Sequence, residues 1–379
     1  MSCTHVYPCS SVNGIIEVSS DKSISHRALM FASIADGQSK LGNILEGHDC
    51  LATLNVMQNL GVNIYKENNY YIVDGLGLKG LKEPNKILNC QNSGTTIRLL
   101  TGMLSAMDFF CILDGSEQIK NRPMQRVIKP LSLMNANIIA RKNNTLAPIA
   151  IIPSKLKGIE FTLEQKSAQV KSALILASLI SGEKSIIKNT EFTRDHSEKM
   201  LSFMQAPIEV CKDSVVINSF TTSLKPLEID IVGDISSAAF IIVAALLLSS
   251  KEVRINNIGI NPTRIGIVNA LWKMNANISL VNKRYVANEE VADIIITKSS
   301  LKAAIFAKDE IVTMIDEIPI LALAATQAIG TTVIKDAQEL KVKESNRILS
   351  TVSELSKLKA NIQETHDGMI IKGSTKLYT

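Results

Sequence analysis

"KMNANI" at residues 273–278 and "LMNANI" at 133–138 are near-copies of one another. "NLGVNI" at 59–64 and "KLKANI" at 357–362 belong with them, and "FMQAPI" at 203–208 is a weaker copy. Val62, Ala136, Ala206, Ala276 and Ala360 align, in steps of 74, 70, 70 and 84 residues. Self-similarity at a near-constant spacing marks a repeated structural unit. Each copy closes an amphipathic helical pattern and leads into a strand-like piece.

A second series interleaves with the first. Apolar segments follow polar starts in "SISHRALMFASIADG" (23–37), "SGTTIRLLTGMLSA" (93–106) and "SAQVKSALILASLISG" (167–182). They recur in "DISSAAFIIVAALLLSS" (234–250) and "EIPILALAATQAIG" (317–330). Helices apolar nearly all round belong inside a protein, and those with a polar face belong outside. Strand-like pieces such as "YYIVDG", "PIAIIP" and "DIIITK" follow the outer helices. The unit reads as strand, buried helix, strand, surface helix, hairpin. The expected architecture is a two-domain, inside-out α/β fold built from repeated βαβαββ units, with five copies visible.

The bulk properties agree. A chain of 379 residues has room for two domains with real cores. With 46% apolar and 20% charged residues it fits a globular class. No apolar stretch reaches the length of a membrane span, "AAFIIVAALLLSS" included. The start, "MSCTHVYPCSSV", carries no secretory pattern, so a cytoplasmic protein with reduced thiols is expected. The six cysteines, at 3, 9, 50, 90, 111 and 211, form no CxxC pair and no zinc spacing. A net charge of +5 suits anionic small molecules, and 4% aromatics argues against a base-stacking surface. "GLGLKG" at 75–80 matches G-x-G-x-x-G, but "LKEPNK" follows it where a dinucleotide site needs a helix.

The chemistry gathers at the starts of the buried helices. "DKSISHRAL" puts Lys22, His26 and Arg27 within six residues at a helix start. Cations there oppose the helix dipole unless an anion lies between them. A solvated helix start and an anion site explain these residues equally well. "NSGTTIRLL" (92–100) sets Gly94 where a ligand can approach the backbone. "KNRPMQR" (120–126) holds Arg122 before a proline, which suits bidentate binding of carboxylate or phosphate. "KSAQVKS" adds Ser167, Gln169 and Lys171, and "TRDHSEK" adds Arg194, Asp195 and His196. "TMIDEIP" places Asp316 and Glu317 before an apolar helix, where an acid can be a simple cap. "KVKESNR" brings Lys343, Glu344 and Arg347 together, with Glu344 and Arg347 on one helix face at i, i+3.

Jointly these segments resemble the EPSP synthase (3-phosphoshikimate 1-carboxyvinyltransferase) family. The likeness runs from about residue 13 to the last residue and rests on "DKSISHRAL", "NSGTTIRLL", "RPM", "SAQVKSALILA", "RDHSEKM", "GDISSAAF", "DEIP" and "KVKESNRI". The forms "SAQVKSA" and "RDHSEKM" are similar to its class II branch. The resemblance implies that the 5-hydroxyl of shikimate 3-phosphate attacks C2 of phosphoenolpyruvate while C3 is protonated. Phosphate is then expelled, with no metal or organic cofactor. It implies that Lys22 bridges both substrates. Ser23, Arg27, Ser167, Gln169, Arg194 and Lys343 would hold shikimate 3-phosphate. Gly94, Arg122, Gln169 and Arg347 would hold phosphoenolpyruvate. Asp316 would take the hydroxyl proton, and Glu344 with Lys22 would serve C3. His26 is left without a role. The implied partners are these two small molecules, with no nucleic acid and no membrane, and the chain is expected to be a monomer.

The same resemblance implies six units, three per domain, of which five are visible. Residues 20–228 would form a complete three-unit domain. Residues 1–19 and 229–379 would form the second, lacking its last unit, poorly packed, and with "GIIEVSS" deprived of its normal strand partner. Two other functions follow as alternatives. One is a truncated, non-catalytic remnant that binds shikimate 3-phosphate. The other is a UDP-N-acetylglucosamine enolpyruvyl transferase, disfavoured because Glu117 stands where that family carries a reactive cysteine.

Overall fold

The computed structural model describes Tyr7, residues 9–219 and residues 223–378. Cys3 and the first residues of "MSCTHVYPCSSV" lie outside the described residues. Among the described residues ten longer helices alternate between buried and surface positions. The inner ones are α1 (Lys22–Ser33), α3 (Gly94–Ser105), α5 (Ala168–Ser181), α7 (Ile235–Leu248) and α9 (Ile318–Thr326). The outer ones are α2 (His48–Asn59), α4 (Gln125–Leu133), α6 (His196–Phe203), α8 (Gly266–Lys273) and α10 (Arg347–Lys357).

Among the described residues each inner helix accompanies one of five four-stranded sheets. In three of them the strand before the inner helix lies parallel to the strand after it. In the other two the parallel strand comes from elsewhere in the chain, Val12–Ile16 beside Ser249–Gly259 and Glu228–Asp230 beside Asp36–Gly42. In all five the strand after the inner helix runs antiparallel to the last strand of the unit. Helices buried behind small sheets are the α/β arrangement that the sequence predicts.

The repeated hexapeptide has a physical cause. At all five copies the residue before the aligned position is left-handed: Gly61 at φ 91°, Asn135 at 71°, Gln205 at 65°, Asn275 at 69° and Lys359 at 66°. The aligned residue then donates its N–H back across the helix end. Val62 bonds Met57, Ala136 bonds Leu131, Ala206 bonds Leu201, Ala276 bonds Leu271 and Ala360 bonds Leu355, each at the carbonyl. This is the Schellman closure, which satisfies carbonyls left open at a helix C-terminus. The motif is thus five copies of one stop signal for the outer helix.

The chain folds as two compact units. The larger comprises Ser20–Val232 with Tyr285–Glu289. Its inner helices α1, α3 and α5 are buried along most of their length. Gly102 lets α3 come close to α5, since a Cβ there would lie 2.1 Å from the Ala173 carbonyl oxygen. The smaller unit comprises the described residues up to Ser19, Gly233–Arg284 and the described residues from Glu290 onward.

Two expectations for the smaller unit are corrected. Its core is continuous: Ile242, Leu246, Ile255, Ile294, Leu321, Ala325, Ile334 and Ile371 are all fully buried. Each inner helix here packs on a strand of the following sheet, and α7 and α9 pack on one another. α7 keeps an apolar stripe along its length that is only partly covered: Phe240, Ile241, Ala244, Leu247 and Leu248, with Phe240 60% and Leu248 40% exposed. The amino-terminal strand is also not left without a partner. Val12–Ile16 lies parallel to Ser249–Gly259, with a register shift between Val12 and Gly14. In the larger unit Glu228–Asp230 completes the sheet of Asp36–Gly42 in the same way.

Candidate active site

In the larger unit α1 begins at Asp21, whose carboxylate caps the helix by accepting from the Ile24 N–H at 2.9 Å. Lys22 follows, half-exposed and ion-paired with Asp49. Arg27, one turn on, is only 3% exposed. Its Nε donates to Ser197 Oγ at 2.8 Å, its Nη1 to the Ser23 carbonyl at 2.9 Å and its Nη2 to Ser172 Oγ at 3.0 Å. A solvated helix start is therefore excluded for Arg27. Burial brings its pKa down to about 10, the carboxylates of Glu198 and Asp21 pull the other way, and the nearby charge of Arg194 lowers it further. Two guanidinium groups close enough to feel one another favour an anion beside them.

A second cationic cluster surrounds the start of α3. Ser93 caps that helix, accepting from the Thr96 N–H at 3.1 Å. A Cβ on Gly94 would lie 2.6 Å from Arg122 Nη1 and 2.8 Å from Arg98 Nη1. The missing side chain is what lets both guanidinium groups reach the helix N-terminus. Gln169 joins them, accepting from Arg98 Nη1 at 2.8 Å and donating to Thr95 Oγ1 at 3.1 Å. Gly94, Arg122 and Gln169, expected together from motif resemblance, are thus together. Ser167 is the N-cap of α5, so its hydroxyl has a structural task as well.

Arg98 was not among the predicted site residues. It is 3% exposed and also donates to the Pro123 carbonyl at 3.2 Å, next to Arg122. The signal was present in the sequence as an arginine four residues after Gly94 on an otherwise apolar helix. An arginine there needs several acceptors, and a helix start crowded with polar groups is where they are found.

Three further ionisable side chains of the larger unit are held inside the fold. Lys171 is ion-paired with Glu198, both essentially buried, and donates to Thr193 Oγ1 at 2.6 Å. His196 Nδ1 lies 2.7 Å from Glu289 Oε1. Cys111 is no reactive thiol: burial, with the charge of Glu83, pushes its pKa up to about 12.

In the smaller unit the acids settle one ambiguity. The N-cap position of α9 belongs to Glu317, not Asp316, and no side chain caps that helix. Asp316 instead accepts from Arg347 Nη1 at 2.8 Å. Arg347 Nη2 donates to Glu344 Oε2 at 2.9 Å. The predicted helical i, i+3 pair is corrected, because α10 begins only at Arg347 and Glu344 precedes it. The contact forms all the same, by a turn rather than a helix face. Lys343 Nζ lies 3.1 Å from Glu339 Oε1. Burial works against the Arg347 charge, but the hydrogen bond and charge of Asp316, then those of Glu344, raise its pKa. No group of three or more His, Cys, Asp or Glu could hold a metal ion among the described residues, and no helix among them is long and apolar enough to cross a membrane.

The chain is similar to known proteins over nearly all of its length. Residues 6–379 match the family described as EPSP synthase (3-phosphoshikimate 1-carboxyvinyltransferase). That match takes in the whole described part of 229–379, for which a lost unit was expected, and gives the loss no support. A 3-phosphoshikimate 1-carboxyvinyltransferase of Thermoanaerobacter sp. (strain X514) is 48% identical over 364 residues, covering 96% of this chain and 85% of the relative. That of Oceanobacillus iheyensis is 44% identical over 367 residues, covering 97% and 85%. The solved EPSP synthase of Acinetobacter baumannii superposes with a TM-score of 0.87 at 38% identity, over 97% of this chain and 83% of that one. With its repeats, its paired guanidinium clusters and these relatives, the chain belongs to the EPSP synthase family.

Proposed function

We propose that the chain transfers the enolpyruvyl group of phosphoenolpyruvate to the 5-hydroxyl of shikimate 3-phosphate and releases phosphate, a step toward aromatic amino acids. It does so as a monomer of two domains, 20–228 and 1–19 with 229–379, without metal or organic cofactor. The observation that supports this most is the space at Gly94, flanked by Arg98 and Arg122 at a helix N-terminus. Such a place suits a small molecule bearing both phosphate and carboxylate.

Arg122, Gln169, Gly94 and Arg347 hold phosphoenolpyruvate. Arg27 and Arg194, with Ser23, Ser167, Gln169 and Lys343, hold shikimate 3-phosphate, and Lys22 contacts both. The hydroxyl oxygen forms a bond to C2 as its proton passes to Asp316, and C3 receives a proton from Glu344 or Lys22. In the second half C3 returns that proton as the C2–O bond to phosphate breaks. Fixed cations stabilise the charge that develops at the phosphate oxygen.

Phosphate release measured with both substrates, and with each alone, tests the proposal. Release is expected only with both. Lys22→Ala is expected to abolish it while costing little stability, because an exposed ion pair contributes roughly 0–1 kcal/mol. Release from phosphoenolpyruvate with UDP-N-acetylglucosamine instead, or substrate binding without release, would overturn it.

A further inference from the structure

His26 has no part in the assignments above, yet it is fully buried at the centre of the larger unit's polar machinery. Its Nδ1 lies 2.7 Å from Thr53 Oγ1 on α2. Thr53 Oγ1 lies 2.7 Å from Thr96 Oγ1 on α3. Thr96 Oγ1 donates to Ser93 Oγ at 2.6 Å, and the Thr96 N–H donates to the same oxygen. All four side chains are 0% exposed, so water does not compete for any link.

The order of donors follows. Thr96 has one hydroxyl hydrogen, and it goes to Ser93. Thr53 must then donate to Thr96, and His26 must donate Nδ1–H to Thr53. The imidazole is neutral: burial, then the adjacent charge of Lys22, brings its pKa to about 3. A second cation is thereby kept away from Lys22. Lys22 and His26 stand one turn apart on α1, and their partners Asp49 and Thr53 stand one turn apart on α2. The relay therefore runs from the turn that carries Lys22 to the residue that starts α3.

We propose that His26 is a positioning residue for phosphoenolpyruvate: through Thr53 and Thr96 it fixes the Ser93 cap, and with it the first turn of α3 that presents Gly94 and Thr95. This rests on the reading that α3's first turn holds that substrate. A cap whose oxygen accepts two hydrogen bonds has one rotamer open to it. Without the upstream donors the Thr96 hydroxyl is no longer held toward Ser93 and can turn to the Asp49 carbonyl 3.5 Å away, which loosens the N–H groups meant for the anion.

The test is steady-state phosphate release by the full chain, with melting curves alongside. His26→Phe keeps the ring and removes the donor, Thr53→Val breaks the next link without changing shape, and His26→Asn keeps a donor near the Nδ1 position. His26→Phe and Thr53→Val should each raise KM for phosphoenolpyruvate roughly five- to tenfold. KM for shikimate 3-phosphate should change far less. The double variant should be no worse than either single one, since both cut one chain. His26→Asn should recover most of the loss.

An unchanged phosphoenolpyruvate KM in folded His26→Phe or Thr53→Val overturns the proposal. So does an equal rise in both KM values that tracks a lower Tm and is not recovered by asparagine. If His26→Phe does not fold, Thr53→Val decides alone. Gly94→Ala separates the two ideas. A raised phosphoenolpyruvate KM there, with silent His26 and Thr53 variants, removes His26's role and keeps the site. No change in Gly94→Ala removes the site assignment and this proposal together.

Discussion

Arg347 joins two carboxylates at once, with Nη1 at 2.8 Å from Asp316 and Nη2 at 2.9 Å from Glu344. The two ends of the planar guanidinium fork serve one carboxylate each. Asp316 is thereby aimed by an ion pair and not by a helix cap. Asp316→Asn keeps an acceptor for Arg347 and removes the base. The rate of phosphate release should fall by roughly 10²–10⁴-fold with the melting curve nearly unmoved. A normal rate in the folded variant would falsify the base assignment.

Arg27 makes a different prediction because it is buried. Arg27→Ala should weaken shikimate 3-phosphate binding by roughly 1.5–3 kcal/mol, the usual value of a charge-assisted contact. It should also lower Tm, since Ser172 and Ser197 lose their shared partner. Arg27→Lys keeps the charge without the fork, and calorimetry should place its affinity between the two. Parent-like affinity in Arg27→Ala would leave the residue with a purely internal task.

Gly94→Ala separates affinity from folding. Alanine at a first helical position is better for the helix than glycine, by up to about 1 kcal/mol. The new methyl would meet the ends of Arg122 and Arg98, which can swing aside. The fold should therefore be kept or strengthened, while KM for phosphoenolpyruvate rises. Lower stability with unchanged KM is the opposite result, and it would place Gly94 outside the substrate's reach.

Acid should weaken the larger unit through His26. Its pKa falls from 6.5 in the unfolded chain to about 3 in the fold. Between those values the unfolded chain holds the extra proton, so stability drops as pH falls from about 6.5 toward about 3. Denaturant midpoints of the parent and His26→Asn, measured across that window, should converge as the pH falls. Parallel curves would show that His26 takes up its proton equally in both states.

The repeat was legible because its signal is backbone conformation. Gly61, Asn135 and Asn275 are residue types that tolerate a left-handed φ, and they punctuate the chain at near-constant spacing. The weak copies at Gln205 and Lys359 blurred the pattern, yet those residues adopt the same geometry under tertiary constraint. Gly94, Arg122 and Gln169 were readable by motif resemblance, whereas Arg98 was hidden by the apolar helix around it. The role of Asp316 was ambiguous from spacing alone, because one residue decides which acid sits at the cap. The partner of Val12–Ile16 was out of reach for another reason: a strand-like pattern states what can pair, not with which edge.

That strand pairing bears on how the protein is made. Val12 meets Ser249 and Ile16 meets Ile255, so the strand Val12–Ile16 has its partner translated 237 residues later. At about 5–20 residues per second this is a wait of roughly 10–50 s. The sheet of Asp36–Gly42 in the larger unit has all its strands sooner, once Glu228–Asp230 is made. Meanwhile the leading segment is an unpaired edge among other unpaired edges, the condition in which wrong strand pairings form. Gly14, at φ 111°, interrupts it at the point where the register later shifts. A segment broken in this way is a poor template for a straight strand, which leaves it free until its own partner is synthesised.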